Sequence, residues 1–130
     1  FIGDIVGRPG RKIIKDKLKS IKQEYQLDCV VANTENASHG FGLTIKNGME
    51  LFEYGIDIFT GGNHTWDKKK DMTTLLQTKP VLRPANYPDE VVGSGVYTTI
   101  INDQKMVIIN LMGMYGMPQV LNPFRYAIDM

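Results

Sequence analysis

The chain is 130 residues long with 42% hydrophobic and 22% charged residues, a composition that excludes a disordered polymer or a fibre. Fifteen Lys and Arg against fourteen Asp and Glu leave a net charge of +1, which argues against a general nucleic-acid binder. The single cysteine excludes an internal disulfide framework and suits a reducing, cytoplasmic setting, and no apolar run reaches the roughly 18–20 residues of a membrane span.

In chain order, Phe1-Ile2 reads as the last piece of a strand, followed by a loop over Gly3–Gly10. Apolar Ile14, Leu18, Ile21 and Tyr25 recur at helical spacing and predict an amphipathic helix over Arg11–Tyr25. Asp28–Asn33 reads as a short buried strand. Thr44 is placed to cap a second helix that ends at Gly55, and Ile56–Thr60 is a second apolar strand. Asp67 is expected to cap a third helix through about Gln77, with Pro80 blocking its continuation. Val81-Leu82 is a brief strand before the proline-rich Arg83–Pro88. Val96–Ile101 and Met106–Leu111 are β-rich runs joined through Asn102–Lys105 as a hairpin, and a last helix begins at Pro123. Alternating strands and helices predict an α/β fold with parallel central strands and a C-terminal hairpin.

Unusual polar residues collect where these strands end. Asp4 follows the first remnant, Asn33, Glu35 and Asn36 follow the second strand, and Asn63-His64 follow the third; Asn86 and Asn110 lie beyond later ones. In an open parallel sheet the carboxyl ends of the strands share one edge, where ligands bind. Three chemistries compete for that edge. The glycine-rich Gly3–Gly10 lacks the spacing of a dinucleotide or P-loop phosphate cradle. A nucleophilic triad fails because Cys29 lies within a strand and no serine occupies a nucleophile elbow. A metal site remains: Asp4 and Glu35 are hard oxygen donors, and Asn36 and Asn63 can ligate through their carbonyls. Glu35 could bridge two cations, a pair suited to phosphoryl displacement, with His64 as proton donor or phosphate ligand.

The stretches GDIVGRPGR, NTENASHGFG, GGNHTWDKK, LRPANYP and INLMG, in that order, resemble the signature blocks of the YmdB-like bacterial metallophosphoesterases of the calcineurin-like superfamily. The resemblance implies a four-layer α/β/β/α sandwich, a dinuclear centre of iron or manganese (zinc or magnesium being alternatives), and hydrolysis of 2′,3′-cyclic nucleotides by in-line attack of a metal-activated hydroxide. By matching position, Asp4 and Asn36 would bind the first metal, Asn63 the second, and Glu35 both, while His64 would donate the proton or bind the phosphate. Val6 stands where the wider superfamily has a histidine ligand, in keeping with the narrower family. Family members are about twice this length, and their remaining ligands are histidines of the second half, whereas this chain has only His39 and His64.

Residues 1–130 are therefore expected to form the N-terminal half of a metallophosphoesterase domain, inactive alone. The alternative is a catalytically incomplete fragment or a non-catalytic nucleotide-binding or oligomerisation module. His39, Arg83 and Asn86 are candidate substrate-binding residues; the plainer alternative for His39 is a loop histidine and for Arg83 an ion pair within the protein. The expected partner is a small phosphodiester or nucleotide, with a homo-oligomer allowed and no membrane. Trp66 is read as packing beneath the loop, Lys68–Lys70 as a solvated helix start, and the methionine-rich Met112–Met117 as core.

Overall fold

In the computed structural model, which describes residues 1–130, three short strands form a parallel sheet: β1 (Val31–Asn33), β2 (Ile58–Thr60) and β3 (Val81–Leu82), in that order. Val31 pairs with Ile58 and Phe59 with Val81, and Ile2 adds a single parallel bridge to Ala32 on the outer side of β1. The strand remnant at Phe1-Ile2 is therefore present as one bridge. The helices α1 (Gly7–Glu24), α2 (Ile45–Glu53) and α3 (Lys69–Thr78) connect and cover the sheet. β4 (Val96–Ile101) and β5 (Gln104–Ile109) form a separate antiparallel hairpin, and α4 (Pro123–Asp129) ends the chain. No helix is long and apolar enough to cross a membrane. The α/β class with parallel central strands and a hairpin is what the sequence pattern predicts.

Helix α1 begins four residues before the expected Arg11 and absorbs much of the glycine-rich loop. Pro9 sits in its first turn, where no backbone N–H is required. Gly7 enters at φ +54°, a conformation that favours glycine, and its N–H donates to the Asn36 carbonyl at 2.9 Å. Gly10 lies against Ile5, where an added Cβ would meet the isoleucine side chain at 3.0 Å. Only the first part of the predicted α1 stripe is buried: Ile14 and Leu18 enter the core, while Ile21 and Tyr25 stay exposed. Ile21 instead lines an open apolar groove with Phe1, Ile13 and Leu27.

Strand β1 is shorter than Asp28–Asn33 because an aspartate side chain interrupts the ladder. Asp57 accepts from the Val30 N–H at 2.7 Å, so regular pairing starts at Val31. Helix α2 begins and ends as its sequence implies. The Thr44 hydroxyl accepts from the Asn47 N–H at 3.3 Å. At the other end Gly55 N–H donates to Phe52 O and Ile56 N–H to Leu51 O, a Schellman closure with Gly55 at φ +106°. Asp67 does not cap α3; Lys68 holds that position without a side-chain bond, and the Asp67 carboxylate is engaged elsewhere. The hairpin turn is tighter than Asn102–Lys105. Asn102 and Asp103 alone form it, both at positive φ as a two-residue turn between twisted strands requires.

The core lies between sheet and helices. Leu18, Leu43, Leu51, Ile56 and Leu75 belong to one buried cluster with Phe59, whose ring stacks on Phe52 at 3.9 Å between centroids. The C-terminal part differs. Neither β4, β5 nor α4 contains a buried residue, and Ile100, Phe124 and Ile128 are largely exposed. Of the methionine-rich loop only Met112 is core; Met114, Tyr115 and Met117 face outward, contrary to expectation. The hairpin is fastened to the sheet by Asn110, whose side-chain amide donates to Gly61 O at 2.9 Å and Leu82 O at 3.2 Å.

Candidate metal centre

The loops after Ile2, β1 and β2 meet at the carboxyl edge of the sheet. Ile5 N–H donates to Asn33 O and Thr34 N–H to Thr60 O, so backbone bonds lash the three loops together. Arg11 of α1 reaches back to the Ala37 carbonyl and braces the turn that carries Glu35 and Asn36. Side chains at this edge consequently have little freedom to disperse.

Two linked groups occupy it. In the first, Asn36 Nδ2 donates to Asp4 Oδ2 at 2.7 Å. The other amide atom, Asn36 Oδ1, is buried and has no hydrogen-bond partner. A buried acceptor left unpaired costs about 1–3 kcal/mol, so a fold keeps one where something else satisfies it. In the second group Glu35 accepts from His64 N–H at 2.9 Å through Oε2 and from Asn33 Nδ2 at 3.3 Å through Oε1. Its carboxylate lies over Gly62, so close that a Cβ there would collide with both oxygens. Glycine at 62 is thus what lets the carboxylate lie flat on the β2 loop. Asn63, half-buried, stands between this glycine and His64.

The donors are two carboxylates and two side-chain amides, all hard oxygen ligands that suit a divalent cation. No three His, Cys, Asp or Glu side chains of this chain converge as a ligand set. The orphaned Oδ1 of Asn36, whose Nδ2 is bonded to Asp4, fits a cation; the carboxylate supply amounts to one side of a centre.

His64 is held on several sides. Its Nδ1 lies 2.7 Å from Asp67 Oδ2, and the Phe41 ring packs edge-on at 5.1 Å. Phe41 belongs to a loop with His39 at φ +62° and Gly42 at φ +74°, fastened where buried Ser38 accepts from Thr44 N–H and Asn47 Nδ2. His39 itself is exposed. Behind the site, Trp66 meets Tyr87 at 6.2 Å in a T-shaped pair, which makes it a packing residue. Burial, with a further contribution from the Glu35 charge, pushes the Tyr87 hydroxyl pKa up, against a hydrogen bond from Trp66 that lowers it.

Two of the sequence candidates are used differently. Arg83 is buried, and its guanidinium donates to the carbonyls of Val91, Pro84 and Ala85, so it is available neither to a phosphate nor to an ion pair. Asn86 is fully enclosed; its Nδ2 donates to Met112 O and Leu121 O, and its Oδ1 accepts from Met112 N–H. Both are spent on holding the irregular segment around Pro84, because backbone groups buried outside regular structure need side-chain partners. Conversely, Phe41 and Asp67 stand at the site although the sequence pattern assigns neither a role there, while Asn33, at the end of β1, donates to Glu35. The interval of three between His64 and Asp67 is the one available signal in the sequence, and the same aspartate also fits a helix cap.

The model of the YmdB-like protein family matches residues 1–130. The chain belongs to this family. Among curated relatives, a 2′,3′-cyclic-nucleotide 2′-phosphodiesterase of Bacillus subtilis is 38% identical over 100% of this chain and 49% of its own length. A putative phosphatase/phosphodiesterase of Mycoplasma genitalium is 41% identical over 95% of this chain and 46% of its own length. The chain thus spans about half the length of the curated relatives it matches. Two crystal structures superpose with a TM-score of 0.92: a hypothetical protein of Thermus thermophilus (36% identity) and a novel phosphatase of Mycoplasma pneumoniae (37%). Each covers 99% of this chain, which in turn covers 50% and 48% of theirs. The YmdB-like fold is therefore shared with these structures over nearly every residue described.

Proposed function

We propose that this YmdB-like chain forms one side of the catalytic centre of a metal-dependent phosphodiesterase, with 2′,3′-cyclic nucleotides as the substrate class. The observation that carries the reading is the buried, unpartnered Oδ1 of Asn36, set beside Asp4 at the strand edge that also holds Glu35. The activity for which the Bacillus subtilis relative is named supports the substrate class. Asp4 and Asn36 would hold a first divalent cation, Asn63 a second, and Glu35 would serve both, with iron or manganese ahead of zinc or magnesium. Bound cations would supply positive charge to the phosphate oxygens and an activated water. Glu35 keeps its orientation through His64 N–H and Gly62, and His64 serves the leaving oxygen. Because the curated relatives are about twice as long, the remaining ligands are assigned to their other half.

The test is metal content and turnover of the intact protein. Purified without oxygen, it is expected to carry iron or manganese and to open 2′,3′-cyclic AMP to a phosphomonoester. A protein free of transition metal, inert towards that substrate after Mn²⁺ addition, would refute the reading.

A further inference from the structure

We propose that Asp67 is the positioning residue for His64, holding the imidazole so that Nε2 faces the leaving oxygen of the phosphodiester; this rests on the reading above. The proposal starts from the 2.7 Å contact between His64 Nδ1 and Asp67 Oδ2. A carboxylate at Nδ1 favours the tautomer with its proton on that nitrogen and leaves Nε2 for the substrate. Asp67 is free for this role because Lys68 holds the cap position of α3, with no side-chain cap bond.

The arrangement around the pair is built to keep the ring still. Asp67 N–H donates to His64 O at 3.2 Å, closing the turn that brings the two side chains together. Gly42 presses on that turn, where an added Cβ would meet Asp67 Cβ at 3.2 Å and Lys68 N at 3.1 Å. Phe41, next in the chain to Gly42, packs edge-on against the imidazole at 5.1 Å. On its other side the His64 backbone N–H is bonded to Glu35. The imidazole is thereby tied to the Glu35 carboxylate through the backbone and to Asp67 through Nδ1.

A plain ion pair explains this less well. The two side chains are 29% and 40% exposed, and partners so open to water add little to the stability of a fold. In the reaction, water oxygen bonds to phosphorus as the ester P–O bond breaks. The departing oxygen takes a proton from Nε2 of protonated His64, the attacking water releases one to solvent, and solvent restores the imidazole proton. One water is consumed, and Asp67 gains and loses nothing.

The isosteric Asp67→Asn in the intact protein tests this with two readouts. Long-range ¹H–¹⁵N spectra, with His64→Gln to identify the signals, are expected to show the Nδ1–H tautomer in the neutral ring of the wild type and its loss in Asp67→Asn. Turnover of a 2′,3′-cyclic nucleotide, whose leaving group is a poor one, is expected to fall about 10–100-fold at unchanged KM. Hydrolysis of a p-nitrophenyl phosphodiester, whose leaving group needs no proton, should change less than about threefold, and Asp67→Glu should recover part of the loss. An unchanged tautomer, or an equal loss on both substrates, overturns the proposal. Absence of phosphodiesterase activity in the wild type instead refutes the function, and the tautomer still reports on Asp67. If Asp67→Asn does not fold, the wild-type tautomer and Asp67→Glu decide it: an Nε2–H tautomer, or Glu failing equally on both substrates, counts against.

Discussion

Asn36 and Asn86 each lie in a loop beyond the carboxyl end of a parallel strand, and the two loops use the same side chain in opposite ways. Asn86 spends both ends of its amide on the backbone at Met112 and Leu121. Asn36 spends one end on Asp4 and leaves a buried oxygen with none. The polar groups of Arg83 and Asn86 are thus satisfied within the chain, whereas the edge formed by Asp4, Glu35 and Asn36 keeps one buried acceptor that the chain itself leaves unpaired. Residue type and position along the chain are alike; the count of satisfied partners separates structure from function.

The sharpest way to break that contrast is at the glycine beneath Glu35. Gly62→Ala places a Cβ against both carboxylate oxygens, and metal bound by the intact protein is expected to fall to background in elemental analysis. Retention of the wild-type metal content would mean that Glu35 is not the shared ligand. Next comes Asn86→Ala, which strands a buried carbonyl, a partly buried one and a buried N–H and should cost about 3 kcal/mol in urea unfolding of the metal-free protein. A cost below about 1 kcal/mol would show that water replaces the amide and that the loop is less closed than it looks.

Asn36→Ala should do the reverse. It removes an unsatisfied oxygen together with one exposed hydrogen bond, so metal-free stability should move by less than about 1 kcal/mol. Manganese affinity, followed by calorimetry, should nevertheless drop at least about tenfold. A large loss of stability without loss of affinity would reassign Asn36 to the scaffold.

The smallest effect concerns Cys29, at the far end of β1 from the site. Burial first, then the charge of Asp57, raises its thiol pKa above the ordinary 9.0, while Lys22 acts in the opposite sense. A pKa raised by folding means the contribution is whole below that ordinary value and is lost as pH climbs through the folded one. Unfolding curves of wild type and Cys29→Ala should therefore run parallel below about pH 8 and converge towards alkaline pH, by the linkage of proton binding to stability. Curves that stay parallel to pH 10 would exclude a thiol whose pKa folding raises.

Much of this was legible in the chain. The spacing of Ile14 and Leu18 announces α1, Thr44 and Gly55 bracket α2, and Asp4, Glu35, Asn36, Asn63 and His64 mark the edge where loops meet. What misled was polar residues with two plausible local uses. Asp67 has the right place for a helix cap and is taken by His64; Arg83 and Asn86 have the chemistry of phosphate contacts and are taken by carbonyls. Asp57 shortens β1 by capturing the Val30 N–H, a bond between positions 27 apart that no local pattern contains.

The sequence by itself determined the α/β class, the order of elements and the family, because periodicity, caps and motif spacing are local properties of the chain. Tertiary structure alone decided which polar atoms are already satisfied. Burial makes each hydrogen-bond partner count, and the partners come from loops far apart in sequence, so Asn36 can keep an oxygen free where Asn86 cannot.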